Sequence, residues 1–152
     1  MSFAKATITG VGQVKARLRN IAEKVPDHAA RTMRTIAAKI EKQSKLQCPH
    51  DDGELEDSIH QEVMIDETNR RLVIDIVAGG VVRGVDVDQY AVIIHENYEG
   101  QLKHGPGKNT LAKMAANPGV VIGSKFIQRA VDDAEPKLVK ATIEAITTAV
   151  TE

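Results

Sequence analysis

The sequence predicts an α+β domain in which N-terminal helices and a C-terminal helix pack on a small antiparallel β-sheet with a long loop. Apolar residues recur at helical spacing towards both ends of the chain, and the middle alternates apolar with polar residues. Gly- and Pro-containing turns separate these parts. With 152 residues the chain is long enough for one domain with its own core. We therefore expect a single domain over residues 1–152.

Two helices are predicted in the first third of the chain. Residues 1–10 are predicted to form an N-terminal arm or a short strand. Pro26 is predicted to end the first helix and to begin the second, because proline is well tolerated at a first helical position. The second helix is expected to end near Gln47. The first apolar stripe comprises Val11, Val14, Leu18, Ile21, Ala22 and Val25.

The middle of the chain is predicted to contain β-structure. Residues 59–66 alternate in polarity, a polar loop follows, and residues 72–78 return as a second strand, which predicts an antiparallel hairpin. The valine-rich residues 81–87 predict either another hairpin or an extended strand. Asp88 is a candidate cap for a short helix that contains Tyr90.

A long flexible loop is predicted over residues 97–122. The chain from Asn97 to Gly123 contains five glycines and two prolines, and only residues 110–116 have a pattern that suits one or two helical turns. The last helix is predicted to start at Gly123-Ser124. Pro136 interrupts its apolar pattern and predicts a kink or break near residues 133–135.

Composition excludes several classes of protein. Aromatic residues make up 3% of the chain and Trp is absent, which argues against a binder that stacks bases or sugars on aromatic rings. Cys48 is the only cysteine, so no intrachain disulfide can form, as suits a reducing cytoplasm. No apolar run approaches the ~20 residues needed to span a bilayer, and no signal-peptide pattern is present. We therefore expect no membrane partner.

Charge is strongly segregated along the chain. Residues 1–48 carry ten Lys/Arg and three Asp/Glu, a net charge of +7, whereas residues 49–100 carry three and thirteen, a net charge of −10. Residues 101–152 have a net charge of +2. These charges either form solvated faces or orient a head-to-tail oligomer, in which the basic part of one subunit meets the acidic part of the next.

One turn separates the basic helices from the acidic middle. Pro49 ends the preceding helix, because the residue before a proline is pushed out of the α region. Asp51 and Asp52 are expected to cap a new helical turn. Gly53 permits a sharp change of backbone direction. Leu55 is expected to pack in the core, just before the first strand.

Residues 49–59 of this turn have the pattern Pro-x-Asp-x-Gly-x-Leu-x-x-Ser-Ile, which resembles the signature of the HK97 gp10-like family, small neck or tail-completion proteins of tailed bacteriophages. Residues 90–96 resemble the family's Tyr-Ala-x-x-x-Glu segment, with one extra residue. Residues 125–130 resemble its Pro-Phe-Leu-x-x-Ala segment, with lysine in place of proline. The matching motif residues are Pro49, Asp51, Gly53, Leu55, Ser58, Tyr90, Glu96 and Phe126.

The resemblance implies a structural virion protein that assembles in the host bacterial cytoplasm. It would form a ring of roughly six or twelve subunits in the neck (the head–tail connector) or at the tail-completion position. Its partners would be its own copies, the adjacent head-closure and tail proteins, and DNA contacted non-specifically in the channel. No catalysis and no cofactor are implied, and the motif residues would maintain the fold. The candidate subunit contacts are Arg31, Arg34, Asp86, Asp88, Tyr98, Lys103 and His104.

Two other functions have some support in the sequence. The cluster from His50 to Glu56, together with His95 or His104, has the residue types of a metal-dependent enzyme. Consecutive residues rarely converge on one ion, however, so a turn with solvated acids is the preferred interpretation. The basic helices also suit a small, non-specific DNA-binding protein, although no base-reading motif is present. Cys48 is expected to be a buried structural thiol.

Overall fold

The chain is an α+β protein, as the sequence predicts. The computed structural model describes residues 11–69 and 71–151, so the predicted arm over residues 1–10 lies outside the described residues. None of the described helices is both long and apolar enough to cross a membrane. The elements in chain order are α1 (Val11–Gln47), α2 (Glu54–Ser58), β1 (Ile59–Asp66), β2 (Arg71–Ala78), β3 (Val81–Val82), β4 (Val85–Asp86), α3 (Asp88–Gln101), α4 (Lys108–Ala116) and α5 (Phe126–Thr151).

Helices α1 and α5 form a long antiparallel pair. At one end the Arg129 Nε–H donates to Gln47 Oε1 at 3.1 Å, and at the other end Ala149 lies beside Ala16 and Asn20. The buried face of α5 is rich in alanine, which lets the two backbones approach closely. With 37 residues, α1 is about 55 Å long at 1.5 Å per residue. The helix pair is therefore elongated, and the other elements pack beside it.

The prediction of two N-terminal helices is wrong, because α1 runs without a break through Pro26. Likewise α5 is one helix through Pro136, with no break near residues 133–135. A proline inside a helix costs about 3 kcal/mol, since one hydrogen bond is lost and its ring crowds the preceding turn. Both prolines lie on exposed sides of their helices, and packing along the helix pair on either side of them outweighs this local cost.

The predicted hairpin is confirmed. β1 pairs antiparallel with β2, from Ile59 opposite Ala78 to Asp66 opposite Arg71. The hairpin runs back along α1, and the Gln61 side chain donates to Glu41 at 2.7 Å. Of β1, only Ile59 is buried, so most of its apolar side chains remain exposed.

A second, smaller hairpin follows. β3 pairs with β4 across Arg83-Gly84, and both turn residues have positive φ angles, of 50° and 83°. Positive φ at both central residues is the geometry of the turns that match strand twist in two-residue hairpins. The two hairpins form separate two-stranded sheets.

Much of the predicted loop over residues 97–122 is helical. α3 continues to Gln101, although Asn97 has non-helical φ and ψ angles and marks a kink. α4 then covers nine residues, more than the sequence suggested. The glycines and prolines that predicted a loop lie mostly outside the helices, as Gly107 does before α4 and Pro118 after it. The last helix begins at Phe126, after a positive-φ Lys125, and not at Gly123.

The core lies where the C-terminal end of α1 meets α2, β1, α3 and the start of α5. Leu55 is buried in it, as the sequence predicts, and so is Ile59, the first residue of β1. The turn over residues 49–59 is therefore attached directly to the core. The buried residues that form this hydrophobic core are Cys48, Leu55, Ile59, Val87, Ala91 and Phe126.

Replacing Pro136 by alanine is expected to raise the free energy of unfolding by about 1–3 kcal/mol, because it restores one helical hydrogen bond and removes a steric clash. Chemical denaturation followed by far-UV circular dichroism would measure the change. The neighbouring exposed Lys137→Ala is the control, with an expected change below about 0.5 kcal/mol. A less stable Pro136→Ala protein would show that α5 requires the proline geometry.

Candidate functional site

Five of the eight motif residues converge on one cavity. It has a volume of about 480 Å³ and lies between the turn after α1, helix α3 and the start of α4. The remaining motif residues lie elsewhere, with Ser58 and Phe126 buried and Glu96 on the surface of α3. We call this site the acidic cavity. It is lined by Pro49, Asp51, Asp52, Gly53, Glu54, Leu55, Val85, Tyr90, Ile94, Tyr98, Gln101, Leu102, Gly107 and Thr110.

Gly53 makes the turn at the cavity rim possible. Its φ angle is +92°, a conformation that side-chain-bearing residues rarely adopt. A Cβ atom at this position would also lie only 3.1 Å from the Arg83 guanidinium and 3.2 Å from the His50 ring. The sequence prediction of a sharp turn at Gly53 is confirmed.

The predicted caps are wrong. Gly53 itself occupies the N-cap position of α2 and no side chain caps that helix, so Asp51 and Asp52 precede the position from which a cap can act. At α3 the N-cap residue is Val87, and Asp88 is already helical. The Asp88 carboxylate instead accepts a hydrogen bond from the Gly80 N–H at 2.7 Å.

Helix α4 holds the turn in place through Lys113. Its ammonium donates to the Lys45 and Cys48 carbonyls at 2.6 and 2.8 Å, and to Glu56 at 2.7 Å. His50 Nδ1 lies 2.9 Å from the same Glu56 oxygen. Burial alone would raise the pKa of Glu56, but these two hydrogen bonds outweigh it and hold the pKa below its usual value.

A second contact of α4 fixes the backbone beside the cavity. The Thr110 hydroxyl accepts from the His50 N–H at 3.1 Å and donates to the His50 carbonyl at 2.8 Å. The Asn109 side chain donates to the Asp51 carbonyl at 2.6 Å. The polar backbone groups of the turn are thus satisfied by α4, a segment about sixty residues further along the chain.

The cavity carries negative charge. Asp51 and Asp52 are exposed at its rim, and within the described part of the chain neither carboxylate has a hydrogen-bond or ion-pair partner. Glu54 lies 4.0 Å from Arg83, whose guanidinium also pairs with Asp57 at 2.9 Å. Burial, and after it the nearby acidic groups, raise the pKa of Tyr90, so this phenol stays protonated. Such a site favours a cation over an anion.

The structure does not assemble the candidate metal cluster. Over residues 11–69 and 71–151, no three His, Cys, Asp or Glu side chains are placed to share an ion. His50 and Glu56 are engaged with each other and with Lys113. His95 lies 2.8 Å from Glu96 and its ring packs edge-on against Phe126, with the ring centres 4.8 Å apart.

Glu96, another motif residue, has a role in joining α3 to the start of α5. Its carboxylate pairs with Lys125, and hydrogen bonds from Lys125 and then His95 lower the pKa of Glu96. Nearby, the Ser124 hydroxyl accepts from the Tyr98 N–H at 2.6 Å and donates to Glu99. The loop before α5 is therefore fixed on two sides.

The candidate subunit contacts differ in exposure. Tyr98 is only 8% exposed, because its side chain faces inward beside the acidic cavity, so a neighbour would reach it only through that cavity, and its role as a contact stays a prediction. The other candidates have exposed side chains, and their role as contacts stays a prediction. They are Arg31, Arg34, Asp86, Asp88, Lys103 and His104.

Sequence reasoning missed Lys113, Thr110 and Arg129. The Arg129 guanidinium donates to the carbonyls of Val121, Gly123 and Ser124, in addition to Gln47. The weak helical pattern over residues 110–116 was the only local signal for the first two. Nothing in the local sequence indicates which distant carbonyls a lysine or an arginine will reach.

No family model, curated protein or solved structure matches this chain. The resemblance to the HK97 gp10-like family therefore stays a prediction, carried by the motif residues alone.

Replacing Lys113 by methionine is expected to lower the free energy of unfolding by about 2–4 kcal/mol, because it leaves Glu56 and two helix-end carbonyls without their charged donor. Urea denaturation would measure it. Lys108→Met, at an exposed position on the same helix, is the control and should change stability by less than about 0.5 kcal/mol. Equal stability of the two variants would contradict the role assigned to Lys113.

The Cys48 thiol is expected to be inert in the folded protein. Burial raises its pKa to about 12, so almost no thiolate exists at pH 8. Ellman's reagent at that pH should react only after denaturant is added. Since Cys48 is the only cysteine, any prompt reaction of native protein would be assigned to it and would refute the prediction.

Proposed function

We propose that this chain is a structural virion protein of a tailed bacteriophage that forms a ring in the neck or at the tail-completion position. It acts by assembly and has no chemical turnover. The proposal starts from the family resemblance of residues 49–59, 90–96 and 125–130. The observation that carries it further is the amount of apolar surface that the isolated subunit leaves uncovered.

The accessible surface is too large for a compact monomer. It is 10776 Å², whereas a compact protein of 16.5 kDa exposes about 7,500 Å². Twelve residues are not described by the structure, and an unfolded residue exposes ~160 Å². Even after that area is subtracted for each of them, the described residues expose about 1,800 Å² more than a compact protein of their mass. A standard interface buries about 800 Å² per partner. The excess reflects both the elongated helix pair and apolar surface that an assembly would bury, and it is large enough for a subunit with a neighbour on each side.

Apolar side chains account for part of this surface. On α5, four exposed residues recur at spacings of four, three and four, on the side opposite its alanine-rich buried face. β1 adds three more in its outer half. A solvated monomer gains nothing from such faces, whereas an assembly buries them. The residues are Val139, Ile143, Ile146 and Val150 on α5, and Val63, Met64 and Ile65 on β1.

The distribution of charge supports contacts between unlike surfaces. Among the described residues, most cations of α1 have no ion-pair partner, and the rim acids of the acidic cavity have none either. Unlike surfaces on one subunit generate head-to-tail contacts, which close into rings when the rotation allows. The same unpaired cations suit non-specific contact with DNA phosphates in the channel. The unpaired cations are Lys15, Arg17, Arg19, Arg31, Arg34, Lys39 and Lys42.

The purified protein is expected to self-associate at low salt. Light scattering at about 50 mM salt should give a mass several times 16.5 kDa, and negative-stain images should contain closed rings. Raising the salt to about 1 M should shift the mass towards the monomer, because screening weakens contacts between unlike charges. A mass of one subunit at every salt and protein concentration would refute the proposal.

A further inference from the structure

Two complementary surfaces lie at opposite ends of this molecule. One is the acidic cavity. The other is the first part of α1, where Val14 and Leu18 are 58% and 60% exposed and lie four residues apart on one helix face. Lys15, Arg17 and Arg19 surround them. We call these five residues the α1 tip.

The α1 tip has the composition of a helix that docks in a groove. Every described residue from 13 to 20 is exposed, and the last turn of α5 packs beside Ala16 and Asn20, on the helix face opposite Val14 and Leu18. No acidic residue occurs before Glu23, and none of the three tip cations is paired with a carboxylate of the described residues. Two apolar side chains at i and i+4 are the usual contacts of an amphipathic helix with an apolar groove.

The acidic cavity has the opposite charge and a matching apolar floor. Leu55, Ile94 and Leu102 line it, and the unpaired carboxylates of Asp51 and Asp52 stand at its rim. No lysine or arginine is among its lining residues, and the one cation beside its rim, Arg83, is paired with Asp57. An apolar helix face flanked by cations would therefore match both the apolar floor and the negative rim of the cavity, whereas an acidic segment would be repelled.

The two surfaces of one subunit cannot meet each other. The tip begins more than thirty residues before the turn that forms the cavity rim, and at 1.5 Å per residue the continuous α1 separates them by about 50 Å. The occupant of the cavity must therefore come from another molecule. A second copy of this chain carries a tip of the required chemistry.

We propose that the α1 tip of one subunit docks in the acidic cavity of the next. Val14 and Leu18 cover the apolar floor, and the tip cations face Asp51 and Asp52. The contact is head-to-tail, because the two surfaces differ and lie far apart, so every subunit both gives a tip and receives one. This inference rests on the proposed function and names the surfaces that build the ring.

Two variants test it when they are mixed. Val14→Ser/Leu18→Ser removes the apolar tip and keeps the cavity, and Asp51→Lys/Asp52→Lys reverses the rim and keeps the tip. Each variant alone should need at least a tenfold higher concentration to associate than the unchanged protein. Their equimolar mixture should form dimers of about twice the subunit mass and no rings, because each dimer retains one functional contact and lacks the surfaces for another.

Two controls make the test specific. Val92→Ser/Val121→Ser changes two equally exposed apolar residues, 67% and 64% exposed, that lie outside both surfaces, and should associate as the unchanged protein does. Asp51→Asn/Asp52→Asn removes the rim charge without reversing it and should weaken association less than the lysine variant. Circular dichroism of all the variants would verify that they are folded.

The outcomes separate this inference from the proposed function. If the unchanged protein never associates, the proposed function fails and this contact fails with it. If the protein associates but either the tip or the rim variant does so unchanged, the contact is overturned while ring assembly stands. A mixture that stays monomeric, or a Val92→Ser/Val121→Ser control that loses association equally, would also overturn the assignment of these two surfaces.

Discussion

The structure depends on how the C-terminal end of α1 is satisfied. A helix of this length ends with carbonyl groups that need donors, and its last turn is buried in the core. The Lys113 ammonium donates to two carbonyls at this end, those of Lys45 and Cys48, and it also pairs with Glu56. Because α2, β1 and the cavity rim follow immediately in the chain, this contact positions everything that the turn carries. The position of α4 is fixed by the same bonds.

Helix continuity decides the shape of the molecule. Had α1 ended at Pro26, its first part would have been free to fold back on the body, and the charge at the two ends would have been partly neutralised within one subunit. The antiparallel packing of α1 on α5 instead carries the basic tip about 50 Å away from the acidic turn. The alanine-rich face of α5 packs closely against α1. The valines and isoleucines of α5 therefore remain exposed.

Segregated charge and uncovered apolar surface have a common consequence. Within the described residues the rim acids Asp51 and Asp52 and most cations of α1 are unpaired, so their electrostatic attraction is available for association. The motif residues that suggested a phage ring protein are largely those that shape the acidic cavity. In our proposal they maintain the fold and, through that fold, form the receiving half of a subunit contact.

The sequence by itself determined the fold class, the first hairpin, the turn at Gly53 and the burial of Leu55. These features follow from local rules: strand alternation, the freedom of glycine at positive φ, and the burial of apolar residues. The tertiary structure alone decided that α1 continues through Pro26, that α4 begins at Lys108 and holds the turn, and that Tyr90 meets the turn. The physical reason is that these outcomes depend on contacts between residues far apart in the chain, such as Lys113 with Glu56, whose free energy exceeds the local preferences that sequence patterns record.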